Sequence, residues 1–534
     1  MVWQSLWAGA LGAVRAAAVE ESMSRHAASV VFALTLVALV SVSSTAQSAQ
    51  PADTAQVRRW NDDLAFLARE MPVQHANLFH AMTRAQFDSA LASIRGRLPS
   101  LARHQVIVEL QRLAAMIGDG HSNVSPWRDT MVAFHTLPVA LSRFSGGYYV
   151  RAATAAQAPL LGARVTGIGG VPIDSAEARV SRLVSRDNAM GVWLYAPLLL
   201  SMPEVLHALG LSRNARSAEL TVEQNGTART VALTEAGVFP NFSGDADKSW
   251  NARAGWVDLR DRSPAPLWLS RTTDTYWFTY VPATRLLYCQ INEIQERGEP
   301  LEKFLTRALA AADSERAERF VLDLRLNGGG NGYYNRTIVR ALIRSRFDTR
   351  GTLFVITSRR TFSAAQMLIS DLEEWTNPIF VGEPSSSRGN AFGDSRRLVM
   401  PNSKVTLRVS TLWWQYWDTR DTRPWIAPEI AVPLTADAYR AGRDPALEAI
   451  AGFALGPTLA ERIKPMLAAR DSTAASAAID AFRADPVNAW QDPARWLIAV
   501  ASELQGEGKA DAAALADRLH ARLPAWTMPR LSMK

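Results

Sequence analysis

A serine and a run of glycines supply the residue types that acyl-transfer chemistry needs. Ser363 lies in the segment Thr361 to Gln366, and three consecutive glycines occupy positions 328–330. A serine hydroxyl attacks a carbonyl carbon, and bare glycine N–H groups can face the negative charge that then develops. A serine before a helix is commonly only an N-cap, and a glycine run is commonly only a tight turn. A phosphate cradle is disfavoured, because no Gly-Lys-Ser/Thr sequence follows.

The pattern around these residues predicts the elements that would position them. Apolar runs at 320–326, 353–357 and 378–381 alternate with stretches whose apolar residues recur at helical spacing. Strand, helix, strand, helix and strand in this order predict two crossover units and a parallel sheet covered on both faces. Loops at the carboxyl ends of parallel strands share one edge, where ligands usually bind. We therefore expect the glycines and Ser363 on the same edge, with the hydroxyl at a helix N-terminus.

Five short segments resemble motifs of the tail-specific (C-terminal processing) and tricorn-core serine peptidase family. They occur in the family's order over more than half of the chain, and together they are specific although each is short. The matching segments are IGDGHS at 117–122, LDLRLNGGG at 322–330, TFSAAQ at 361–366, VGE at 381–383 with Gly389, and APEIAV at 427–432. The resemblance implies an α/β fold whose crotonase-like core places a mainly parallel sheet between helices.

The same resemblance implies a role for each candidate site residue. Ser363 matches the nucleophile and His121 matches the general base. The N–H of Ala364 and the N–H of Gly329 or Gly330 match the oxyanion hole. Chemistry of this kind requires no metal and no organic cofactor, and its substrate would be a peptide or a protein.

One departure from the family concerns the base. The processing-protease branch uses a lysine where this chain has Arg388, between Ser387 and Gly389. An arginine stays protonated at any useful pH, so it cannot accept the serine proton. His121 is therefore the base that the sequence supports.

A second departure concerns the acid that orients the histidine. The tricorn-like branch holds an acidic residue shortly before its last motif, and we assign this role to Asp421, with Asp418 and Glu429 as alternatives. In that branch a serine beside the histidine relays the contact. Here Gly120 occupies the place of that serine, and Ser122 is the candidate replacement.

Composition limits the other classes of function. The 534 residues suggest about three or four domains, and 48% apolar and 20% charged residues are typical of a soluble globular protein. A net charge of +7 without a basic run interleaved with aromatics does not indicate nucleic acid as a partner. Cys289 is the single cysteine, so the chain relies on its core and not on disulfides.

The N-terminus predicts export. The apolar run at 30–40 follows Ser24-Arg25-His26 and precedes small residues up to Ala46. This order is typical of a secretory signal, and we place cleavage near Ala46 and the true start at Met23. The run is too short to span a bilayer comfortably, so no stable membrane anchor is expected after signal removal. We therefore expect the protein to be periplasmic or secreted.

The remaining pattern divides the chain into regions. Turn glycines in GARVTGIGGVPI resemble part of a PDZ domain, which binds peptide ends at a sheet edge, and a plain β-module without a ligand stays open as the alternative. The C-terminal helices resemble one tetratricopeptide-like unit that packs on the core. The regions are a signal at 1–46, a helical region at 47–130, a β-rich PDZ-like module at 131–238, a catalytic α/β core at 239–455 and a helical appendage at 456–534.

These observations predict an exported serine-type peptidase. Two alternatives stay open. The first is a peptide-binding or scaffold protein on the same fold whose chemistry has lapsed, which Arg388 and Gly120 favour. The second is an esterase that uses the same serine. The sequence does not indicate an oligomeric state.

Overall fold

A computed structural model describes residues 53–129, 131, 133–238, 254–260, 263–416, 418–419 and 421–524. All of them belong to one unit of the chain, residues 51–534. The predicted signal segment, with Met23 and Ala46, lies outside the described residues. Within the described ranges, no helix combines the length and the apolar character that crossing a bilayer requires.

The N-terminal region is helical and leads directly to His121. Thr83 caps the second helix through a capping box with Gln86, which fixes where that helix begins. After the third helix, Gly118 turns the chain with a φ of 84°, and the loop that follows contains His121. The elements are α1 (Thr54–Gln74), α2 (Arg84–Arg97), α3 (Arg103–Ala115) and β1 (Asn123–Val124).

An antiparallel sheet of seven strands follows in the chain. Its order is β2-β3-β4-β6-β7, with β5 beside β4 and β8 beside β3. Ala153 pairs with Val257, so this sheet includes residues beyond position 238, where we placed the end of the β-rich module. The elements are β2 (Val139–Phe144), β3 (Gly147–Thr154), β4 (Arg164–Ile168), β5 (Val171–Pro172), α4 (Ile173–Ser181), α5 (Ala189–Leu199), α6 (Pro203–Ala208), β6 (Ser217–Gln224), β7 (Thr227–Thr234) and β8 (Trp256–Asp258).

The sheet that carries Ser363 has six strands in the order β16-β13-β12-β11-β10-β9. All neighbouring pairs are parallel except the edge pair of β9 and β10. Every residue of β10, β12 and β13 is buried, as parallel strands covered on both faces require. The strands are β9 (Tyr276–Val281), β10 (Leu286–Ile291), β11 (Arg319–Asp323), β12 (Leu353–Thr357), β13 (Ile379–Gly382) and β16 (Ile430–Ala431).

Helices cover both faces of this six-stranded sheet. Alternate residues of β10 belong to different apolar clusters: Leu287 and Cys289 pack with residues of α8 to α10, and Tyr288 packs with Trp268 and Tyr439. Burial raises the pKa of the Cys289 thiol, which keeps it protonated within the core. The helices are α7 (Leu267–Ser270), α8 (Leu301–Ser314), α9 (Asn335–Ile343), α10 (Ala364–Trp375), α11 (Ala436–Arg440) and α12 (Pro445–Ala451).

A small third sheet joins the N-terminal region to the core. The hairpin of β14 (Ala391–Val399) and β15 (Thr406–Trp414) pairs with β1, in the order β1-β15-β14. Asn123 lies opposite Arg408 in this antiparallel pair. Because Asn123 follows His121 by two residues, the pairing fixes the histidine loop next to the core.

Four C-terminal helices form a separate apolar cluster. Trp490, which precedes the third of them, packs against Trp193 and Trp425 with ring centroids 5.7 and 6.0 Å away. The helices are α13 (Leu459–Ala468), α14 (Ser472–Ala484), α15 (Pro493–Gly506) and α16 (Ala510–Arg522). With helices and several sheets throughout, the predicted α/β class is confirmed.

Candidate active site

The glycine turn after β11 forms one wall of the candidate site. Gly329 and Gly330 have φ values of 115° and 139°, a region that residues with a side chain rarely adopt. Asn327 holds the turn: its Nδ2 donates to the Ile291 carbonyl at 2.9 Å and its Oδ1 accepts from the Gly329 N–H at 2.9 Å. A Cβ added at Gly329 would lie 2.8 Å from the Cβ of Ser363. The turn therefore requires glycine and lies directly against the serine.

Ser363 has a strained backbone and an uncommitted hydroxyl. Its φ is 55°, a conformation that costs about 1–3 kcal/mol for a residue with a side chain. It occupies the N-cap position of α10, yet its side chain makes no capping hydrogen bond. Instead, its Oγ lies 3.0 Å from Nε2 of His121. The hydroxyl is thus directed at the imidazole, and capping does not account for this serine.

A buried aspartate, Asp119, holds the His121 loop in place. Its Oδ1 accepts the N–H of His121 at 2.7 Å, the N–H of Ser122 at 2.6 Å and the hydroxyl of Ser410 at 3.0 Å. Its Oδ2 lies 2.8 Å from Nε2 of His75. Burial acts to raise the pKa of Asp119, but the hydrogen bonds from His75 and Ser122 outweigh it and the pKa is lowered. The ionised carboxylate therefore fixes the backbone that carries His121.

The His121 ring stacks on Phe362, with ring centroids 4.5 Å apart and an interplanar angle of 28°. If the Ser363 hydroxyl donates to Nε2, the ring proton must be on Nδ1. That Nδ1 atom is buried and has no hydrogen-bond partner among the described residues. A negative charge close to Nδ1 would therefore strongly stabilise the protonated form of the ring.

Asp187, in the loop between α4 and α5, brings a carboxyl group that interacts electrostatically with the His121 ring. Its Oδ1 accepts the Gly120 N–H at 2.7 Å, and its Oδ2 accepts the Ser387 hydroxyl at 2.6 Å. Burial raises the pKa of Asp187, and a positive charge on His121 acts in the opposite direction. A Cβ added at Gly120 would lie 2.9 Å from the Phe362 ring and 3.2 Å from Asp187. The glycine that departs from the family pattern thus makes room for this carboxylate.

The sequence did not single out Asp187, and only a weak signal could have done so. Asp187 and Asn188 form a polar pair just before a helix, where Asn188 serves as the N-cap of α5. Such a pair is common at helix starts. The contact with the Gly120 N–H spans 67 residues, which no local pattern reveals.

Asp421, our sequence-based choice of orienting acid, is not brought to His121. Both of its carboxylate oxygens accept from the Arg423 guanidinium, at 2.9 and 3.1 Å from Nε. The alternative Glu429 is bound by Arg350 at 2.6 and 3.2 Å. An arginine nearby neutralises each carboxylate, which is why neither needs a histidine partner.

The hydroxyl of Ser122, the candidate relay residue, is also hydrogen-bonded to another residue. Its hydroxyl lies 3.2 Å from the Ser410 hydroxyl and accepts the Ser410 N–H at 2.9 Å. It therefore ties the histidine loop to β15.

Two residues that border the cavity of Ser363 have a backbone N–H group without an acceptor among the described residues. Gly330 and Ala364 donate none of the backbone hydrogen bonds found among the described residues, whereas the Gly329 N–H is taken by Asn327. Ala364 is the first residue of α10, where N–H groups lack an acceptor within the helix. Of the two predicted glycines, Gly330 is thus the one with a free donor.

Ser363 and His121 border a cavity of about 430 Å³. Trp414 and Tyr416, from the predicted aromatic cluster, line it; Trp417 lies outside the described residues. Arg388 also lines the cavity and is exposed. The space is large enough for a peptide segment to reach the serine.

One group of side chains among the described residues has the composition of a metal site. Ligand atoms of His135, Glu204 and Glu235 all lie within 4.8 Å of one another. However, His135 Nδ1 lies 2.6 Å from Glu204 Oε1, and Arg216 forms an ion pair with Glu235. The imidazole and the guanidinium already serve these carboxylates, and the group lies outside the cavity of Ser363.

Comparison with solved structures shows a fold shared with CPAF. A crystal structure of a CPAF point mutant matches with a TM-score of 0.53 and 13% identity, covering 75% of this chain and 99% of that chain. Mature CPAF matches with a TM-score of 0.51 and 14% identity, covering 74% and 96%. A photosystem II D1 C-terminal processing protease gives a TM-score of 0.35 at 14% identity, covering 73% and 96%.

The predicted resemblance to the tail-specific and tricorn-core peptidases is confirmed at the level of fold, since the solved neighbours are of that type. No family model matches the sequence, and no curated protein matches it.

Proposed function

We propose that this protein is a serine peptidase that hydrolyses peptide bonds through an acyl-enzyme on Ser363. The observation that carries this proposal is the 3.0 Å separation of Ser363 Oγ and His121 Nε2, two atoms whose residues are 242 positions apart in sequence. A nucleophile, a base within hydrogen-bond reach and free N–H donors beside them form the minimum set for acyl transfer. The shared fold with solved serine peptidases supports the same conclusion.

In the first step, Ser363 Oγ attacks the carbonyl carbon of the scissile bond while His121 Nε2 takes the hydroxyl proton. The carbonyl oxygen becomes an oxyanion. The N–H groups of Gly330 and Ala364 bind it, because both lack an acceptor among the described residues and both residues border the cavity of the serine. Gly329 shapes the turn and is not itself a donor, since its N–H is bound to Asn327.

In the second step, His121 gives the same proton to the nitrogen of the leaving amine, and the carbon–nitrogen bond breaks. An ester between Ser363 and the carbonyl half of the substrate remains. A water molecule then attacks this ester with His121 again acting as base, which releases the new carboxyl end and restores the serine.

Asp187 takes the orienting role that the sequence had led us to give Asp421. It is 7% exposed, bonds to the residue before His121 and interacts electrostatically with the ring. A carboxylate in this position favours the imidazolium that forms during both steps. It acts through His121, so it is a positioning residue.

The two alternatives that the sequence left open, a lapsed enzyme and an esterase, have less support than the peptidase. A protein that no longer catalyses a reaction gains nothing from the strained, left-handed φ of Ser363. It also gains nothing from a serine hydroxyl that is directed at a histidine. An esterase would use the same atoms, and a panel of matched ester and amide substrates separates the two activities. The deciding property is whether His121 protonates an amine leaving group.

Several finer predictions belong to the same proposal. The six-stranded sheet with its helices corresponds to the crotonase-like core, and the antiparallel sheet of β2 to β8 corresponds to the PDZ-like module. We further propose export to the periplasm or the medium, based on the predicted signal at 1–46. Activity-independent tests of export are the N-terminal sequence of the mature protein and its location after cell fractionation.

Labelling with a fluorophosphonate probe tests the proposed function. The chain without residues 1–46 should react at one site, and Ser363→Ala should abolish the reaction. Ser89→Ala is the matched control, because Ser89 is an exposed serine on α2, and it should react like the wild type. Equal labelling of Ser363→Ala and the wild type would reject Ser363 as the nucleophile.

A further inference from the structure

Three side chains outside the cavity of Ser363 have the composition of a cation site, namely His135, Glu204 and Glu235. His135 lies shortly before β2, Glu204 lies on α6, and Glu235 directly follows β7. Their ligand atoms all lie within 4.8 Å of one another. One imidazole nitrogen and two carboxylates from three separate segments of the chain therefore meet at one place.

Three of the four carboxylate oxygens in this group have a partner. Glu204 Oε1 lies 2.6 Å from His135 Nδ1, and Glu204 Oε2 accepts the His135 N–H at 3.0 Å. Glu235 Oε1 forms an ion pair with Arg216. The fourth oxygen, Glu235 Oε2, is buried and has no hydrogen-bond partner among the described residues. It lies 4.0 Å from His135 Nδ1, so the group contains one unused acceptor beside its imidazole.

The charges of the group are unequally exposed to water. The side chains of Glu204 and Glu235 are 5% and 10% exposed, whereas that of Arg216 is 69% exposed. A carboxylate removed from water requires a counter-charge close to it. Arg216 pairs with a single oxygen of Glu235 from the solvent side. A cation held between the two carboxylates would neutralise both of them.

The distances between the ligand atoms suit one small cation. Ligand atoms about 2.0–2.2 Å from a tetrahedral Zn²⁺ lie about 3.3–3.6 Å from one another. His135 Nδ1 is 2.6 Å from Glu204 Oε1 and 4.0 Å from Glu235 Oε2, one value below this range and one above it. Movement of the two carboxylates by less than about 1 Å would therefore complete the geometry.

We propose that His135, Glu204 and Glu235 bind one Zn²⁺ through Nδ1, Oε1 and Oε2. Zn²⁺ accepts imidazole together with carboxylates, whereas Mg²⁺ and Ca²⁺ prefer oxygen ligands alone. The ion takes the place of the Nδ1 proton, and the imidazole keeps its other proton on Nε2. Three protein ligands leave the fourth position for water.

The ion would link segments that the backbone already brings together. The Thr136 N–H donates to the Gly237 carbonyl at 3.0 Å, and the Ala236 N–H donates to the Thr136 carbonyl at 2.8 Å. A bound Zn²⁺ adds a cross-link from this pair of segments to α6. It should therefore stabilise the fold without acting on Ser363 or His121, and the site is independent of the proposed peptidase activity.

The test begins with the purified protein, which is stripped with EDTA and then titrated with zinc sulfate. Equilibrium dialysis with elemental analysis gives the number of bound ions and the Kd. At a Zn²⁺ concentration about 100 times the Kd, the Tm should rise by about 3 °C, because the ion binds the folded state. Magnesium sulfate at the same concentration should have little effect. An equal rise with Mg²⁺ would contradict coordination by the imidazole.

Matched variants assign the bound ion to this group. Glu235→Gln and His135→Gln should each weaken the binding of one Zn²⁺ by at least about tenfold. Glu219→Gln is the control, because Glu219 is exposed on β6 of the same sheet, and it should bind Zn²⁺ like the wild type. Arg216→Gln should tighten binding severalfold, since it releases Glu235 Oε1. A gain of affinity cannot result from a damaged fold.

Anomalous diffraction at the zinc absorption edge locates the ion in crystals grown with Zn²⁺. We expect one ion about 2.0–2.2 Å from the three ligand atoms. An ion between His104 and His207 instead, whose Nε2 and Nδ1 atoms lie 2.9 Å apart, overturns the proposal. Zn²⁺ binding that is unchanged in both His135→Gln and Glu235→Gln does the same. Ser363→Ala should bind Zn²⁺ like the wild type, so this site and the peptidase function are tested separately.

Discussion

The two halves of the proposed catalytic pair are held in different ways. Ser363 is positioned by its own stretch of chain, since β11, the glycine turn, β12 and α10 all lie between residues 319 and 375. His121 is positioned by residues distant in sequence, namely Asp187 through Gly120 and Ser410 through Asp119. The difference shows that a nucleophile can be encoded locally while its base depends on the tertiary fold.

The two halves also differ in their energetics. The serine half contains strained backbone at Ser363 and close contacts at Gly329. The histidine half instead contains buried carboxylates, Asp119 and Asp187, whose oxygens are satisfied by hydrogen bonds. Substitutions in the first half should therefore act through steric effects, and substitutions in the second half through charge.

The largest effect is expected when either member of the pair is removed. Ser363→Ala and His121→Ala should each lower kcat by about 10³-fold or more, because the members of such a unit act together. The double variant should be hardly worse than either single one. Peptide hydrolysis at saturating substrate measures this, and additive losses in the double variant would show that the two residues do not form a unit.

The second-largest loss of kcat should follow when the acid that orients His121 is neutralised. This substitution should show whether that acid is Asp187 or Asp421. Asp187→Asn keeps the shape but removes the charge that acts on His121, so kcat should fall by about 10²- to 10⁴-fold. Asp421→Asn is the matched control and should change kcat by less than about threefold, because its partner is Arg423. A large loss in Asp421→Asn and none in Asp187→Asn would reverse our assignment. The pH profile of kcat should shift only in Asp187→Asn, which a purely structural role would not cause.

Two adjacent glycines test the steric character of the serine half. Gly329→Ala places a Cβ 2.8 Å from the Ser363 Cβ at a φ of 115°, so it should cost about 1–3 kcal/mol of stability and most of the activity. At Gly328 a Cβ meets nothing within 4 Å, and Gly328→Ala should be nearly neutral. Urea unfolding and kcat are the measurements. Similar behaviour of the two variants would mean that the turn does not abut the serine.

These contrasts explain how much could be predicted from the sequence. The strands around Ser363 are short apolar runs that are buried on both faces, so local pattern was enough to place the serine and the glycines together. Asp187 comes from a region distant in sequence, and only folding brings it next to His121. Asp421 has the sequence position of the family's acidic residue, but its carboxylate is bound by Arg423, two residues later.

The smallest predicted effect concerns stability and pH in the histidine half. The pKa of Asp119 is lowered from its ordinary value of 3.8, so its ionised form stabilises the folded state above that pH and the contribution is lost as the pH falls through the lowered value. Asp119→Asn should cost about 1–3 kcal/mol at pH 7, and this difference should shrink below pH 3.8.

Denaturant unfolding at several pH values measures the effect. The exposed pair of Asp88 and Arg84 gives the control, since Asp88→Asn should change stability little at any pH. A constant difference between wild type and Asp119→Asn from pH 7 to pH 3 would show that the charge of Asp119 does not hold the loop.

The most direct test of the central claim is a crystal structure of the protein after reaction with a peptidyl phosphonate. We predict phosphorus bonded to Ser363 Oγ, one phosphonyl oxygen about 2.7–3.1 Å from the N atoms of Gly330 and Ala364, and His121 Nε2 within hydrogen-bond distance of the adduct. An adduct on another residue, or a phosphonyl oxygen directed away from both N–H groups, would contradict the account.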